Sequence, residues 1–210
     1  MPAALAPEPT ATAQTLSRDP RTVRSRAAIL RATVELMVER GVHTVSVDAI
    51  VERSGVAKTT VYRHWPTREA LVMAAWQTLV PTDDVDPSGT MREQLRTLAL
   101  AFATRIGTPP MSLLLPDLMA ASARDPKMRA MYDEVVRSRR RPLMETVQRG
   151  ITAGLLPPST DAELVSQLIL GPIAYEQLLR HAEVDPAFVD HLVSVVLEAT
   201  HHNMVRATCD

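Results

Sequence analysis

The stretch that decides the fold is residues 46–65, SVDAIVERSGVAKTTVYRHW. Its apolar residues recur at three- and four-residue steps, which predicts a short helix through residue 53 and a second over about 57–64. Ser46 is suited to cap the first helix, because its hydroxyl can accept a hydrogen bond from a backbone amide that has no partner within the helix. Gly55 favours a tight turn between the helices, so the stretch has the form of a helix-turn-helix. The predicted buried face consists of Val47, Ile50, Val51, Val56 and Val61.

Polar and small side chains occupy the outward face and the N-terminal end of the second predicted helix. They are Ala57, Lys58, Thr59, Thr60, Tyr62, Arg63 and His64. Small residues permit a close approach to a DNA duplex, while Lys, Arg, Thr and Tyr donate hydrogen bonds to phosphates or base edges. A helix also fits the major groove, which is about 12 Å wide. An ordinary αα-hairpin with a solvated polar face is the alternative that this pattern leaves open.

The charge distribution favours a polyanionic partner at this end of the chain. The formal net charge is −1, but residues 18–68 contain ten Lys or Arg and five Asp or Glu, a net charge of +5. Residues 69–210 have a net charge of −5. A basic module on a mildly acidic body is typical of a protein that presents one end to nucleic acid, although solvated helix faces give the same asymmetry.

The sequence around the motif resembles the N-terminal module of the TetR family of transcriptional repressors. The resemblance covers about residues 22–79 and keeps the family's order and spacing without a gap. Its departures are mild: Val51 and Ser54 replace alanines, Trp65 replaces phenylalanine and Arg68 replaces lysine. The matching positions are Gly41, Ser46, Ile50, Val51, Ser54, Gly55, Val56, Lys58, Thr59, Thr60, Val61, Tyr62, His64, Trp65, Arg68, Glu69, Ala70 and Leu71.

The resemblance implies specific DNA contacts. Residues expected to face the groove are Ala57, Lys58, Thr59, Tyr62 and Arg63, and those expected to hold phosphates are Ser46, Thr60, His64 and Arg68. A basic arm is expected before the first helix, and it either enters a minor groove or forms a solvated tail. The arm consists of Arg18, Arg21, Arg24 and Arg26.

The rest of the chain is predicted to be all-α, with about nine helices in total and no strand. We expect a tail without regular structure over residues 1–17, a DNA-binding domain over 18–80, a linker over 81–90 and a helical ligand-binding and dimerisation domain over 91–210. Further helices are predicted over 91–106, 112–123, 125–153, 161–181 and 186–205. Pro142 predicts a kink or break near Arg139, and Pro172 predicts a kink in the following helix.

Two further sites are implied by the resemblance. A homodimer would place two reading helices about 34–36 Å apart on a palindrome, but the apolar faces of the last two helices could equally pack within their own subunit. The predicted dimer residues are Val165, Leu168, Ile169, Ile173, Val189, Leu192, Val193, Val196 and Leu197. A pocket for an unknown small apolar or amphipathic effector is predicted at Met111, Leu115, Met119, Met131 and Met144, where plain core packing is the alternative.

Catalytic, metal and membrane functions find little support. The histidines at positions 181, 191, 201 and 202 are not joined by a carboxylate or cysteine cluster, so no metal, cofactor or catalytic residue is predicted. The single cysteine, Cys209, excludes an intramolecular disulfide and fits a reducing cytoplasm. No apolar run approaches the roughly 18 residues of a membrane span. The sequence therefore predicts a cytoplasmic transcriptional repressor that binds a palindromic DNA operator, with a non-catalytic helical interaction protein or an enzyme as alternatives.

Overall fold

The computed structural model describes residues 20–79 and 89–205. Within these residues the chain forms nine α-helices and no strand, which confirms the all-α prediction. The helices are α1 (Pro20–Arg40), α2 (Val47–Ser54), α3 (Lys58–His64), α4 (Arg68–Thr78), α5 (Met91–Gly107), α6 (Met111–Arg124), α7 (Pro126–Thr152), α8 (Ala162–Ala174) and α9 (Pro186–His201). A π-helical turn (Tyr175–Leu179) follows α8 directly.

Local capping chemistry explains where several helices begin. Thr90 and Glu93 form a reciprocal capping box at the start of α5, in which each side chain accepts a hydrogen bond from the other's backbone amide. Asp125 accepts hydrogen bonds from two amides of α7, and Pro126 occupies the first helical position, where its missing N–H costs nothing. Asp161 and Asp185 cap α8 and α9 in the same way.

The prolines inside the long helices act differently from expectation. The predicted break near Arg139 is wrong, because α7 continues through Pro142 without interruption. Buried Val135, Leu143 and Val147 anchor α7 on both sides of the proline, and this packing offsets the hydrogen bond that proline cannot donate. After Pro172 the predicted helix does not continue to residue 181, since α8 gives way to the π-helical turn.

The N-terminal core is built from one apolar side of each of the first four helices. Its fully buried side chains are Ile29, Leu36 and Met37 of α1, Ile50 of α2, Val61 of α3, and Leu71 and Val72 of α4. Arg53 of α2 adds a two-pronged ion pair with Glu39 of α1 at 2.8 Å, which also holds the pKa of Glu39 below its ordinary value. Helices α1, α2 and α4 therefore form a fixed support for α3.

Helix α4 connects this support to the C-terminal helices. At its N-terminal end, the guanidinium of Arg68 donates hydrogen bonds to the carbonyls of Val42 and Val45 in the loop between α1 and α2. At its C-terminal end, buried Trp76 stacks on Tyr132 of α7 with parallel rings 5.4 Å apart. The indole N–H of Trp76 also lies 3.2 Å from the sulfur of Met111 on α6. One helix thus contacts both halves of the molecule.

The predicted basic arm is only partly an arm. Arg21, Arg24 and Arg26 belong to α1, because that helix begins at Pro20, two residues before the predicted start. A helix cannot enter a narrow minor groove as an extended arm does, so that role is wrong for these three residues. Arg18, the predicted tail over 1–17, Cys209 and residues 81–88 of the predicted linker lie outside the described residues.

The predicted dimer face is mostly internal. Seven of its nine residues are buried within their own subunit, because α8 and α9 turn their apolar sides towards each other and towards α5. For these seven the prediction is wrong: Val165, Ile169, Ile173, Val189, Val193, Val196 and Leu197. Leu192 is half-buried against the same core, and Leu168 remains exposed at 38%.

The described helices were also compared with the length and hydropathy that a membrane span needs. None of them reaches it alone. Helices α5 and α6 pass the test only as a pair, and a bend of 84° separates them.

We expect Gly55→Ala to lower the free energy of unfolding by about 1 kcal/mol, measured by urea denaturation. Gly55 has a φ of +66°, and a Cβ there would meet no atom within 4 Å, so backbone strain alone is tested. Gly171→Ala is the matched control, since its site is equally open but helical. The control is expected to be neutral or to gain up to about 1 kcal/mol. Equal losses in both variants would contradict the strain explanation.

Candidate nucleic-acid interface

Helix α3 is presented by a turn whose geometry follows from its sequence. The Ser46 hydroxyl caps α2 by accepting a hydrogen bond from the Ala49 amide at 3.2 Å. Gly55 ends α2 in the left-handed conformation, and its amide donates to the Val51 carbonyl. Val61 is then buried under α3. These contacts fix which side of α3 faces outward, as the helix-turn-helix pattern predicts.

The outward side of α3 carries most of the residues expected to face a DNA groove. Tyr62 is 45% exposed, and the other exposed members of the set are Ala57, Lys58, Thr59 and Arg63. Ala57 stands at the N-cap position of α3 with no side-chain cap. The face therefore combines a small residue at its leading end with two cations and two hydroxyl groups, the chemistry that phosphates and base edges accept.

Lys58 is held by an acidic neighbour that the sequence pattern did not reveal. Its ammonium group lies 2.6 Å from the Asp48 carboxylate of α2, and this hydrogen bond raises the pKa of Lys58 above its ordinary value. Both side chains are largely exposed. The pair fixes the direction of the lysine and reduces the positive charge that it presents.

Two residues predicted to hold phosphates are engaged within the protein instead. All the described hydrogen bonds of Arg68 end on the α1–α2 loop or on neighbouring Glu69, so this guanidinium braces the loop. His64 is half-buried, and its Nε2 is buried without a hydrogen bond to any described residue. Burial lowers the pKa of His64, and the charges of Arg63 and Arg26 lower it further. A neutral, buried imidazole is a poor phosphate ligand, which corrects both assignments.

Thr60 is half-buried, and the Ser46 hydroxyl is used as a cap. Phosphate contact by these two residues stays a prediction. Arg26 was predicted only as part of an arm, yet its guanidinium lies 5.7 Å from the centre of the Trp65 ring. This cation–π contact places the basic first turns of α1 beside the C-terminal end of α3.

A cavity of about 280 Å³ lies between α4 and helices α5 to α8. Three of the five predicted pocket residues, Met111, Leu115 and Met119, line it. The other two do not: Met131 packs against the core, and Met144 lies at a separate surface groove. Aromatic Trp76, Phe102 and Tyr132 also line the cavity, as do the arginines at positions 105, 139 and 140. Sequence periodicity gave no sign of these residues, because they come from four different helices.

Sequence models of protein families match both halves of the chain. The family described as "Bacterial regulatory proteins, tetR family" matches residues 29–75. The family described as "Tetracyclin repressor-like, C-terminal domain" matches residues 85–196, more than half of the chain. The chain belongs to the TetR family. It is a DNA-binding transcriptional regulator with a helix-turn-helix reading head.

Individual relatives agree with this membership. The chain is 31% identical over 176 residues to the uncharacterized HTH-type transcriptional regulator YdeS of Bacillus subtilis, covering 83% of this chain and 88% of that protein. It is 27% identical to the DNA-binding transcriptional repressor TetR of Mycobacteroides abscessus, with coverages of 81% and 90%. The solved structure of the TetR family regulator SCO0332 is 26% identical with a TM-score of 0.65, covering 83% of this chain and 97% of that one.

More distant structures share the fold of this TetR-family chain. The flavonoid-responsive regulator FrrA is 20% identical with a TM-score of 0.68, and the alignment covers 86% of this chain and 97% of that one. FadR of Bacillus subtilis, solved in complex with stearoyl-CoA, is 21% identical with a TM-score of 0.61, with coverages of 83% and 96%. Over the described residues, no group of three or more His, Cys, Asp or Glu side chains could hold a metal ion.

The lowered pKa of His64 predicts that acid destabilises this TetR-family head. The unfolded chain takes up a proton below about pH 6.5, whereas folded His64 resists protonation, so stability falls as pH drops below that value. The fall levels off once the lower folded pKa is passed. Urea denaturation at pH 7.5 and 5.5 should show a smaller loss for His64→Phe than for the unaltered protein. His43→Gln, at an exposed histidine, should leave the loss unchanged, and an equal loss in all three proteins would refute the assignment.

Proposed function

We propose that this TetR-family regulator is a dimeric repressor that binds a palindromic operator and is released by a small molecule. The observation that carries the proposal is the outward face of α3, where Thr59, Tyr62 and Arg63 are exposed while Val61 anchors the helix beneath them. The full reading set remains Ala57, Lys58, Thr59, Tyr62 and Arg63. Exposed polar residues on a helix of fixed orientation are what direct readout of a major groove requires.

Repression is favoured over activation by the coverage of the relatives. The repressor TetR of Mycobacteroides abscessus aligns with 81% of this chain. The transcriptional activator FasR of Mycolicibacterium smegmatis is 38% identical, but that alignment covers only 39% of this chain and 35% of that protein. The whole-chain similarity is therefore to a repressor, and chromosomal DNA as the partner agrees with the predicted cytoplasmic location.

Dimerisation is proposed to use the outward sides of α8 and α9. Large apolar residues are exposed there although the inner sides of both helices are fully packed. They are Leu168 on α8, Tyr175 and Leu179 on the π-helical turn that follows it, and Val195 on α9. Exposed apolar surface that continues across two adjacent helices is typical of a contact with another chain.

Release of DNA is proposed to pass through α4. The cavity wall includes Trp76 at one end of this helix, and Arg68 at its other end braces the loop that precedes α2. A ligand that prefers a different position of Trp76 would shift the population towards a state with altered spacing of the two reading heads. The two-domain division at residues 18–80 and 91–210 follows from this arrangement, and no catalytic role is proposed.

The reading assignment predicts a DNA-binding loss of roughly 1–3 kcal/mol for each of Tyr62→Ala and Arg63→Ala. Fluorescence anisotropy with the chain's own upstream intergenic DNA measures it, and the affinity of the unaltered protein should fall steeply with salt as counterions are released. Arg137→Ala removes an exposed arginine of α7 that pairs with Glu134 and serves as the control. Unchanged affinity in both α3 variants would show that another face binds DNA.

The dimer proposal predicts that the double variant Leu168→Glu/Val195→Glu sediments as a single 23.1 kDa chain. The unaltered protein should sediment at twice that mass, because burying four carboxylates in an apolar interface is strongly unfavourable. Leu113→Glu changes an equally exposed apolar residue on α6 and should remain dimeric. A double variant that stays dimeric while retaining its helical circular dichroism would move the interface elsewhere.

A further inference from the structure

The cavity combines an apolar wall with an unbalanced positive charge. Sixteen residues line it, and twelve of them are apolar or aromatic. The remaining four are Gln167 and three arginines, Arg105 of α5 and Arg139 and Arg140 of α7. No aspartate or glutamate occurs among these described lining residues. A charge of +3 in so apolar a wall is more than the solubility of a surface requires.

Carboxylates on nearby turns are committed to other arginines. Asp133 and Glu134 of α7 pair with Arg129 and Arg137 at 2.9 and 2.8 Å. Glu176, on the π-helical turn beside the cavity, pairs with Arg180 at 3.0 Å. These three ion pairs lie outside the cavity wall, so their acids do not cancel the charge that the lining presents.

The three cavity arginines sit in surroundings that strengthen their electrostatic interactions. Each is half-buried, and charges interact more strongly where protein replaces water. Arg140 is within electrostatic range of the Tyr132 phenol: burial raises the pKa of Tyr132, and the charge of Arg140 opposes that rise. The positive charge therefore adjoins the aromatic wall.

The apolar part of the cavity limits the size and shape of a ligand. Its volume of about 280 Å³ lies at the lower end of small-molecule pockets, which span roughly 300–1,000 Å³. The aromatic side chains of Trp76, Phe102 and Tyr132 offer flat surfaces, which favour rings over long flexible chains. A long acyl chain would not fit without enlarging the cavity.

We propose that the effector is a compact amphipathic anion, with an acidic headgroup held by Arg105, Arg139 and Arg140 and an apolar body against the aromatic wall. This inference rests on the proposed function, in which the cavity is the effector site. Arginine is suited to the role because its planar guanidinium donates two parallel hydrogen bonds to a carboxylate or sulfonate. Neutral molecules of the same shape bind less tightly, since they leave the guanidinium charges without a counter-charge.

Two fluorescent dyes provide a matched test on the full-length protein. 8-Anilinonaphthalene-1-sulfonate and N-phenyl-1-naphthylamine share one aromatic body and differ by the sulfonate. We expect the sulfonate dye to bind at least tenfold more tightly, as measured by fluorescence titration. Binding that survives in Ala174→Phe, which fills the cavity, is surface binding and is subtracted.

Substitutions at two adjacent arginines locate the effect. Arg140→Gln should weaken binding of the sulfonate dye at least tenfold and leave the neutral dye unchanged. Arg141→Gln is the control, because Arg141 is exposed and lies at a different groove; both affinities should be retained. In the unaltered protein, 3-phenylpropanoate should displace the sulfonate dye and 3-phenylpropanamide should not.

Equal affinities for the two dyes, or an Arg140→Gln variant that binds the sulfonate dye as before, would overturn the proposal. Operator binding by the same samples without dye keeps this outcome separate from the proposed function. If operator DNA binds and the dyes show no preference for the anion, only the effector class is wrong. If no upstream DNA binds, the proposed repressor function fails whatever the dyes show.

Discussion

The attachment of α4 at both ends is the constraint on which the arrangement of the molecule depends. Arg68 donates hydrogen bonds to the carbonyls of Val42 and Val45, so the first turn of α4 is tied to the loop that orients α2. Trp76 is buried against Tyr132 and Met111 at the other end. Because a helix of 11 residues is stiff over its length of about 16 Å, movement of the tryptophan and movement of the loop are linked.

The same constraint separates structural from functional cations in this TetR-family chain. Arg53 and Arg68 are consumed by internal contacts, although their positions in a basic module suggest DNA binding. Lys58 and Arg63 lie on the exposed face of α3, and Lys58 is partly neutralised by Asp48. The charge available to DNA is therefore smaller than the net charge of the sequence implies, and shape and hydroxyl groups carry correspondingly more of the readout.

Local chemistry is what the sequence predicted well. Ser46, Gly55, Thr90 and Asp125 act through neighbours only a few residues away, and each ends or begins a helix as expected. The cavity arginines, the contact of Arg26 with Trp65 and the burial of Val165 depend on how separate helices meet. One chain's periodicity cannot distinguish an apolar stripe that packs on its own subunit from one that packs on a second copy, and the stripes of α8 and α9 proved internal.

Linkage between the cavity and α3 sets an energetic requirement on any effector. Moving a regulator from 1:99 to 99:1 between two states takes a difference in binding free energy of about 5.5 kcal/mol. Apolar burial in a cavity of about 280 Å³ stabilises both states alike unless the Trp76–Tyr132 stack differs between them. A charged headgroup adds a directional interaction, because guanidinium groups on α5 and α7 hold it at a fixed distance from that stack. Discrimination between states then comes from geometry, since a small displacement of α4 changes the fit of the aromatic wall while the anchored anion stays in place.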